Sequence, residues 1–291
     1  GFDLQSACAV VGPEGVDDYA VLDLLDALVR KSLLVADRST GRTRFSMLET
    51  IRQFAEEQLV ASGEAAEVRP AHARYFAGRE TDILALWDSP RQREAYDWFS
   101  AELANLRTAF RWATDHGDLD GAATIAGYAG ALGVWVDIYE PIAWAEELIE
   151  FARAADHPRL ARLYGIASMC YNTGRIKAAV RYADAAQSVI GKDYGDGRYG
   201  PYGVDGGFGA GLGFAYLFIG QPERMVEWLG TQLARGHDPH TFIRAALVFA
   251  LAWAGRVDDA MAAAINDQLD RIDLPNAEPA LNIQAHRFAP W

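Results

Sequence analysis

The spacing of hydrophobic residues near the start of the chain is typical of two short helices. Apolar residues between Asp3 and Val11 fit one helix, which Gly12-Pro13 would end. Carboxylates at Asp17-Asp18 can cap a second helix, which is predicted from Tyr19 onward. That helix would carry an apolar stripe at helical spacing, formed by Val21, Leu22, Leu24, Leu25, Leu28 and Val29.

The pattern then changes to the alternation expected of strands. Leu33–Val35 and Thr43–Met47 fit two short strands on either side of the turn residues Ser39-Thr40-Gly41, which predicts a β-hairpin. An amphipathic helix is predicted next, from Ile51 to a stop near Ser62-Gly63. The order helix, helix, hairpin, helix predicts a small winged-helix domain over residues 1–65.

From Gly63 onward strand signals vanish and helical spacing takes over. A turn glycine followed five positions later by a small or apolar residue recurs, and a weaker copy lies near Ile138-Tyr139. The four clear pairs are Gly117 with Ala122, Gly174 with Ala179, Gly220 with Met225, and Gly255 with Ala260. This spacing is typical of repeats of roughly 34 residues. The predicted fold is therefore mainly α, with the winged helix followed over residues 66–291 by an α-solenoid of tetratricopeptide-like helical hairpins.

Composition and charge narrow the classes of function. The 291 residues are 51% hydrophobic and carry a formal net charge of −13, which disfavours a nucleic-acid or anionic-membrane footprint across the whole chain. Cys8 and Cys170 lie far apart, which suits a reducing cytoplasm. The longest apolar run, Phe242–Ala254, contains Arg244 and is too short for a membrane span. The start Gly1-Phe2-Asp3-Leu4 shows no signal peptide and is expected to be a cut inside a longer polypeptide.

Direct DNA binding by the winged helix is not expected. Basic residues cluster around the hairpin, as a DNA reader would need: Arg30, Lys31, Arg38, Arg42 and Arg44. The second helix, which would read the major groove, instead carries Asp23 and Asp26. A basic side turned toward another protein domain is the preferred interpretation.

A glycine-rich stretch over residues 191–213 contains the spacing G-x-G-x-x-G at Gly195, Gly197 and Gly200. A dinucleotide site is not expected, because a helix precedes the stretch and Pro201 follows it. The default prediction is a loop between repeats. The other interpretation is a loop whose aromatic residues fold over the concave face and contact a ligand, namely Tyr194, Tyr199, Tyr202 and Phe208.

No catalytic or metal-binding signature stands out. His237 and His240 flank a proline and have no third ligand nearby, which favours a helix connection over a metal site. We expect no catalytic, cofactor-binding or metal-binding residues in this chain. Enzyme activity would instead be indicated by a deep polar pocket that holds an acid–base pair with strongly shifted pKa values.

Four stretches of the chain resemble a known family. Two of them, Leu22–Leu34 and Arg44–Ala55, are similar to the winged-helix segment of STAND-type signalling ATPases, in particular actinobacterial LuxR-type transcriptional regulators. The other two, His72–Phe76 and the E-x-x-N-L-R sequence at Glu102–Arg107, are similar to the segment that leads to that family's tetratricopeptide-like array. The resemblance is specific over residues 1–150. It implies a nucleotide switch in which an upstream P-loop module binds ATP or ADP. That loop is absent from this sequence, so this segment would hold no cofactor and hydrolyse no ATP.

The resemblance also points to residues just after the wing. Relatives often carry Met-His-Asp there, whose histidine contacts bound ADP, whereas this chain has Met47-Leu48-Glu49. Leu48 cannot donate that hydrogen bond and is expected to be a core residue behind the hairpin. Met47, Leu48 and Glu49, with Arg44 and Arg52, are the candidate inter-domain or nucleotide-sensing residues. Glu102 and Arg107 are expected to cap or bridge neighbouring helices.

Together these observations predict a regulatory, non-catalytic segment of a STAND-type transcriptional regulator. The winged helix would relay nucleotide state and the array would sense an inducer or protein. Expected partners are an intramolecular ATPase module, other regulators or a second copy, with a small-molecule inducer possible on the concave face. The other hypothesis is a tetratricopeptide-type scaffold for protein binding or oligomerisation, without nucleotide control.

Overall fold

The computed structural model describes residues 1–11, 17–39, 43–87, 89–193, 207–234 and 242–266. The first part of the chain contains two strands among its helices: α1 (Leu4–Val11), α2 (Asp18–Arg30), β1 (Val35–Asp37), β2 (Arg44–Ser46), α3 (Glu49–Ser62), α4 (Ala65–Gly78), α5 (Glu80–Trp87) and α6 (Gln92–Asp115). The described remainder is helical: α7 (Leu119–Gly133), α8 (Glu140–Ala154), α9 (Leu160–Ser168), α10 (Ile176–Asp193), α11 (Gly207–Phe218), α12 (Pro222–Ala234), α13 (Phe242–Trp253) and α14 (Val257–Asn266). Short 3₁₀ turns, Val134–Val136 and Met169–Thr173, follow α7 and α9.

The predicted winged-helix order is confirmed, and local hydrogen bonds explain where its helices begin. Asp3 and Ser6 form a reciprocal cap at the start of α1, with the Ser6 amide 2.8 Å from the Asp3 carboxylate and the Asp3 amide 3.1 Å from the Ser6 hydroxyl. The Asp17 carboxylate accepts from the Tyr19 amide and caps α2. At the end of α3, Gly63 has a φ of 82°, which glycine adopts without a Cβ penalty.

The first strand begins later than predicted. The amides of Leu33 and Leu34 both donate to the Leu28 carbonyl, and Ser32 has a φ of 58°, so these residues complete the turn after α2. β1 therefore begins at Val35 and pairs antiparallel with β2, with Ala36 opposite Phe45. The turn also places Leu34 in the small core beneath the wing, formed by Val21, Leu25, Leu34 and Phe45. We use the word wing for the hairpin β1–β2.

The chain divides into two compact units. Unit 1 comprises Gly1–Asp82 and Asp97–Ile125, and unit 2 comprises Ile83–Tyr96 and the chain from Ala126 onward. In unit 1, α1 packs against α4, so the winged helix shares its unit with α4 and most of α6. The predicted domain limits, 1–65 and 66–291, stay a prediction, because spatial contacts do not decide whether either part folds alone.

The predicted helical array is confirmed, and its turns follow the predicted glycines. Gly117, Gly174, Gly220 and Gly255 each adopt a φ between 72° and 79° in the turn before α7, α10, α12 or α14. The residue five positions after each glycine is buried, as expected where neighbouring helices pack: Ala122, Ala179, Met225 and Ala260. The weaker copy also has a turn, in which Asp137 takes the left-handed conformation with a φ of 60°.

Some predictions fall outside the described residues. These include the histidine pair His237 and His240 and three residues of the candidate ligand loop, Tyr194, Tyr199 and Tyr202. The fourth loop residue, Phe208, lies within α11, and its side chain is not described. The ligand loop therefore stays a prediction. Among the described helices, none combines the length and apolar character needed to cross a bilayer.

Candidate functional site

The wing is joined to α6 by an ion pair between Arg44 and Glu102. Arg44 lies on β2, and its Nη1 is 2.6 Å from Glu102 Oε1. The Glu102 side chain is only 2% exposed, whereas that of Arg44 is 26% exposed. The second Arg44 nitrogen, Nη2, donates to the Gly1 carbonyl at 3.0 Å. One guanidinium thus connects the wing, the first residue of the chain and α6.

Asn105 completes this arrangement from the same face of α6 as Glu102. Its Nδ2 donates to Glu102 Oε2 at 2.5 Å and to the Gly1 carbonyl at 2.9 Å. Both oxygens of the buried carboxylate therefore have a hydrogen-bond donor, which is what a buried charge requires. We call the set formed by the Gly1 carbonyl, Arg44, Glu102 and Asn105 the wing clasp.

His72 on α4 lies beside the wing clasp. Its ring lies against Phe76, with ring centroids 4.8 Å apart. Burial lowers the pKa of His72 from its ordinary value, and the hydrogen bond to Asn105 opposes that shift without cancelling it. The ring is therefore mainly neutral at pH 7.

The prediction that Leu48 is a core residue is wrong. Leu48 is the residue just before α3 in an extended conformation, and it is 61% exposed. An N-cap residue lies half outside its helix, and here that position directs the side chain away from the small core of the wing. Met47, beside it, is also exposed. Neither side chain contributes to a core of the described residues.

Glu49 and Arg52 pair with each other at the surface of α3. Arg52 Nη2 is 2.6 Å from Glu49 Oε1, and this hydrogen-bonded cation lowers the pKa of Glu49. The candidate sensing residues therefore separate into two groups. Arg44 belongs to the wing clasp and pairs with the buried Glu102, whereas Met47, Leu48, Glu49 and Arg52 lie exposed at the start of α3. Their role in nucleotide sensing stays a prediction.

Glu102 and Arg107 are expected to cap or bridge neighbouring helices, but Glu102 pairs with Arg44, which lies on the strand β2. Sequence reasoning missed Asn105 and His72. The spacing of Glu102 and Asn105, three residues apart on a helix, was the available signal, because such residues share a face. Nothing local in the sequence indicates that the Gly1 carbonyl would accept hydrogen bonds from both Arg44 and Asn105.

The two helices on either side of the wing present apolar side chains to solvent. On α2, Tyr19 and Leu24 are mostly exposed and lie near the exposed carboxylate of Asp23 in sequence. On α3, no residue is buried, and Phe54 is 58% exposed. The basic character expected around the wing is reduced, because Arg30 pairs with Asp26 and Arg44 pairs with Glu102.

Comparisons with known proteins agree with the winged helix. Residues 1–60 match a family described as a winged helix-turn-helix domain. Proteins of Mycobacterium bovis and Mycobacterium tuberculosis, each named as an HTH-type transcriptional regulator, are 35% identical over 156 residues, which is 53% of this chain and 17% of theirs. An uncharacterised protein of Mycobacterium tuberculosis is 36% identical over 77 residues, which is 26% of this chain and 20% of its own length.

The chain thus spans less than a fifth of the regulators that it matches. The comparisons give no support to the prediction against DNA binding, because helix-turn-helix domains include many that read DNA. That prediction stays untested. Residues 1–60 form a winged helix-turn-helix domain, and the likeness to the mycobacterial regulators supports a regulatory role for the chain.

Proposed function

We propose that this chain is a regulatory, non-catalytic segment of a cytoplasmic STAND-type transcriptional regulator of the LuxR type. The winged helix relays the nucleotide state of an ATPase module elsewhere in the polypeptide, and the helical array senses an inducer or a protein partner. ATP or ADP is bound by that module and not by this segment. Similarity to the mycobacterial regulators supports the regulatory part of this proposal.

The observation that carries the proposal is the ion pair between Arg44 and Glu102. A relay needs a stiff connection between the element that is moved and the element that responds. Glu102 is buried, so separating it from Arg44 would leave an uncompensated charge in a poorly solvated position. Displacement of the wing is therefore expected to move α6, which is a continuous helix from Gln92 to Asp115.

Hydrogen exchange in the full-length polypeptide tests the relay. With ADP or a non-hydrolysable ATP analogue bound, we expect the amides of β2 and the middle of α6 to exchange at different rates in the two states. Arg44→Gln should abolish the difference in α6. Arg153→Gln is the matched control, because Arg153 forms an exposed ion pair with Glu150 on α8. Identical exchange of the wing in the two nucleotide states would contradict the proposal.

Whether the winged helix binds DNA directly is tested by a separate experiment. We propose that the winged helix acts through protein contacts, because α2 presents Tyr19, Leu24 and Asp23 where a DNA reader needs donors to bases and phosphates. Fluorescence anisotropy with a labelled random-sequence duplex at low salt should show no binding by the 291-residue chain. Salt-dependent binding that is lost in Arg38→Ala would overturn this part of the proposal.

A second candidate function, a protein-binding scaffold without nucleotide control, is favoured by aromatic side chains in unit 2. Rings from three successive helical hairpins form a continuous series, with neighbouring centroids 5.0 to 6.5 Å apart: Phe218, Tyr171, Phe214, Phe249 and Trp253. Phe218 and Trp253 are well exposed. Under this hypothesis a partner found by co-purification should lose affinity for Trp253→Ala and bind equally with ATP, ADP or no nucleotide.

A further inference from the structure

The first three residues of the chain lie beside the wing, where Phe2 forms an isolated bridge with Phe45. Phe2 and Phe45 exchange two backbone hydrogen bonds, with N to O distances of 2.9 and 2.8 Å, and their rings lie 5.8 Å apart. This is a single bridge beside β2, not a full strand of the sheet. We call Gly1–Asp3 the strap. A pairing of one residue is too short to be stable alone and needs other contacts to hold it.

The wing clasp supplies those contacts. The Gly1 carbonyl accepts from both Arg44 Nη2 and Asn105 Nδ2. These are the same two side chains that hold the buried carboxylate of Glu102. The strap and the ion pair therefore share their donors, and a change in one alters the hydrogen bonding of the other.

We infer that the strap is a releasable latch, which the wing clasp holds closed and whose release leaves Arg44 bound to Glu102 but no longer to the Gly1 carbonyl. This inference rests on the proposed relay and names the part that moves. Any segment that precedes Gly1 in a longer polypeptide is joined directly to the strap. A displacement of that segment acts first on the two hydrogen bonds to the Gly1 carbonyl. Asn105 and Arg44 then lose the same acceptor, the Gly1 carbonyl, while Glu102 stays buried.

The geometry of the strap offers a way to lock it. A Cβ placed on Gly1 would lie 3.8 Å from the Cβ of Ser46, which is the usual separation across a disulfide. The same Cβ would lie 3.0 Å from the Phe45 carbonyl, so the strap has to shift by a few tenths of an ångström to accommodate it. The double variant Gly1→Cys with Ser46→Cys should therefore form a reducible lock.

Amide exchange of the 291-residue chain tests the latch without nucleotide or upstream segment. The Phe45 amide donates to the Phe2 carbonyl, so its exchange reports opening of the strap. Asn105→Ala should speed this exchange at least tenfold, while the amide of buried Phe110 on the same helix is unchanged. Thr108→Ala is the matched control, because Thr108 is an exposed residue of α6 that bonds only to its own helix among the contacts described. Equal Phe45 exchange in Asn105→Ala and Thr108→Ala would overturn the inference.

The disulfide provides a second test of the latch, which still applies if Asn105→Ala destabilises the whole chain. Oxidation of the double cysteine variant should slow Phe45 exchange at least tenfold relative to its reduced form, and no change on oxidation would overturn the latch. In the full-length polypeptide, the oxidised lock should remove the nucleotide-dependent exchange of α6, and reduction should restore it. A latch that opens in the 291-residue chain, together with no nucleotide response in the full-length protein, would refute the relay and leave the latch standing.

Discussion

The Arg44 guanidinium reaches the buried Glu102 carboxylate at 2.6 Å across 58 residues of sequence. Because Glu102 is almost fully enclosed, Arg44→Ala leaves a charge without its main partner. We expect the free energy of unfolding to fall by about 3 kcal/mol. Urea denaturation of the parent and the variant measures the loss.

Arg52→Ala is the matched control for that experiment, because Arg52 and Glu49 form an ion pair in the solvent. Its denaturation midpoint should stay at the parent value. Equal midpoints for Arg44→Ala and Arg52→Ala would show that the wing clasp does not stabilise the chain.

Gly130 on α7 allows close contact with Ile166 on α9. A Cβ at position 130 would overlap Ile166 Cγ2, so Gly130→Ala should lower the free energy of unfolding by about 1 to 3 kcal/mol. Gly230→Ala on α12 is the opposite case, because nothing lies within 4 Å of its added Cβ. That variant should raise stability by about 0.5 to 1 kcal/mol, through helix propensity. Thermal unfolding of the two alanine variants should therefore shift in opposite directions.

The buried phenol of Tyr216 is predicted to stabilise the packing of α10 against α11. Its hydroxyl donates to Asp184 at 2.7 Å and accepts from Gln187 at 2.8 Å, while the Arg224 guanidinium lies over its ring. Tyr216→Phe keeps the ring and removes both hydrogen bonds. We expect a loss of about 1 kcal/mol in denaturant unfolding, since both partners can partly turn to water. A gain in stability would show that burial of the hydroxyl outweighs its bonds.

His72 should make stability depend on pH. Its pKa is lowered in the folded chain, so the unfolded chain binds the proton more tightly. The contribution of the neutral ring is complete above the ordinary pKa of 6.5 and is lost progressively as the pH falls below it. Denaturation midpoints between pH 8 and pH 5 should fall less steeply for His72→Gln than for the parent. Parallel profiles would contradict the burial of the ring.

The helical array could be predicted in some detail because its turns depend on local chemistry. Gly220 and Gly255 take positive φ values that few other residues adopt readily, and the residues five positions later are buried where the helices approach. The winged helix could be predicted for the same reason, since Asp17 and Gly63 mark helix ends by their own side chain or lack of one. Searching for turn glycines does not find the turn at Asp137. That residue adopts the left-handed backbone conformation typical of glycine, with a φ of 60°, although it is an aspartate.

The wing clasp could be predicted only in part. The spacing of Glu102 and Asn105 places them on one helix face, but their partners Arg44 and Gly1 come from distant parts of the chain. Leu48 was mispredicted because its apolar character indicates burial, whereas its position at a helix start directs it outward. Tertiary contacts that join such distant residues depend on the whole fold, which local spacing does not specify.

The ion pair between Arg44 of the wing and Glu102 of α6 also constrains how such a chain can evolve. Domain boundaries fall in exposed parts of a chain, so the exposed end of α3 at Gly63 would be an obvious junction between modules. A winged helix inherited with that junction would keep Arg44 and acquire a foreign α6. The recipient would then need a carboxylate at the position of Glu102 to match it. Lineages that reshuffle these modules should therefore transfer the wing and α6 together, or change both sides of the contact in step.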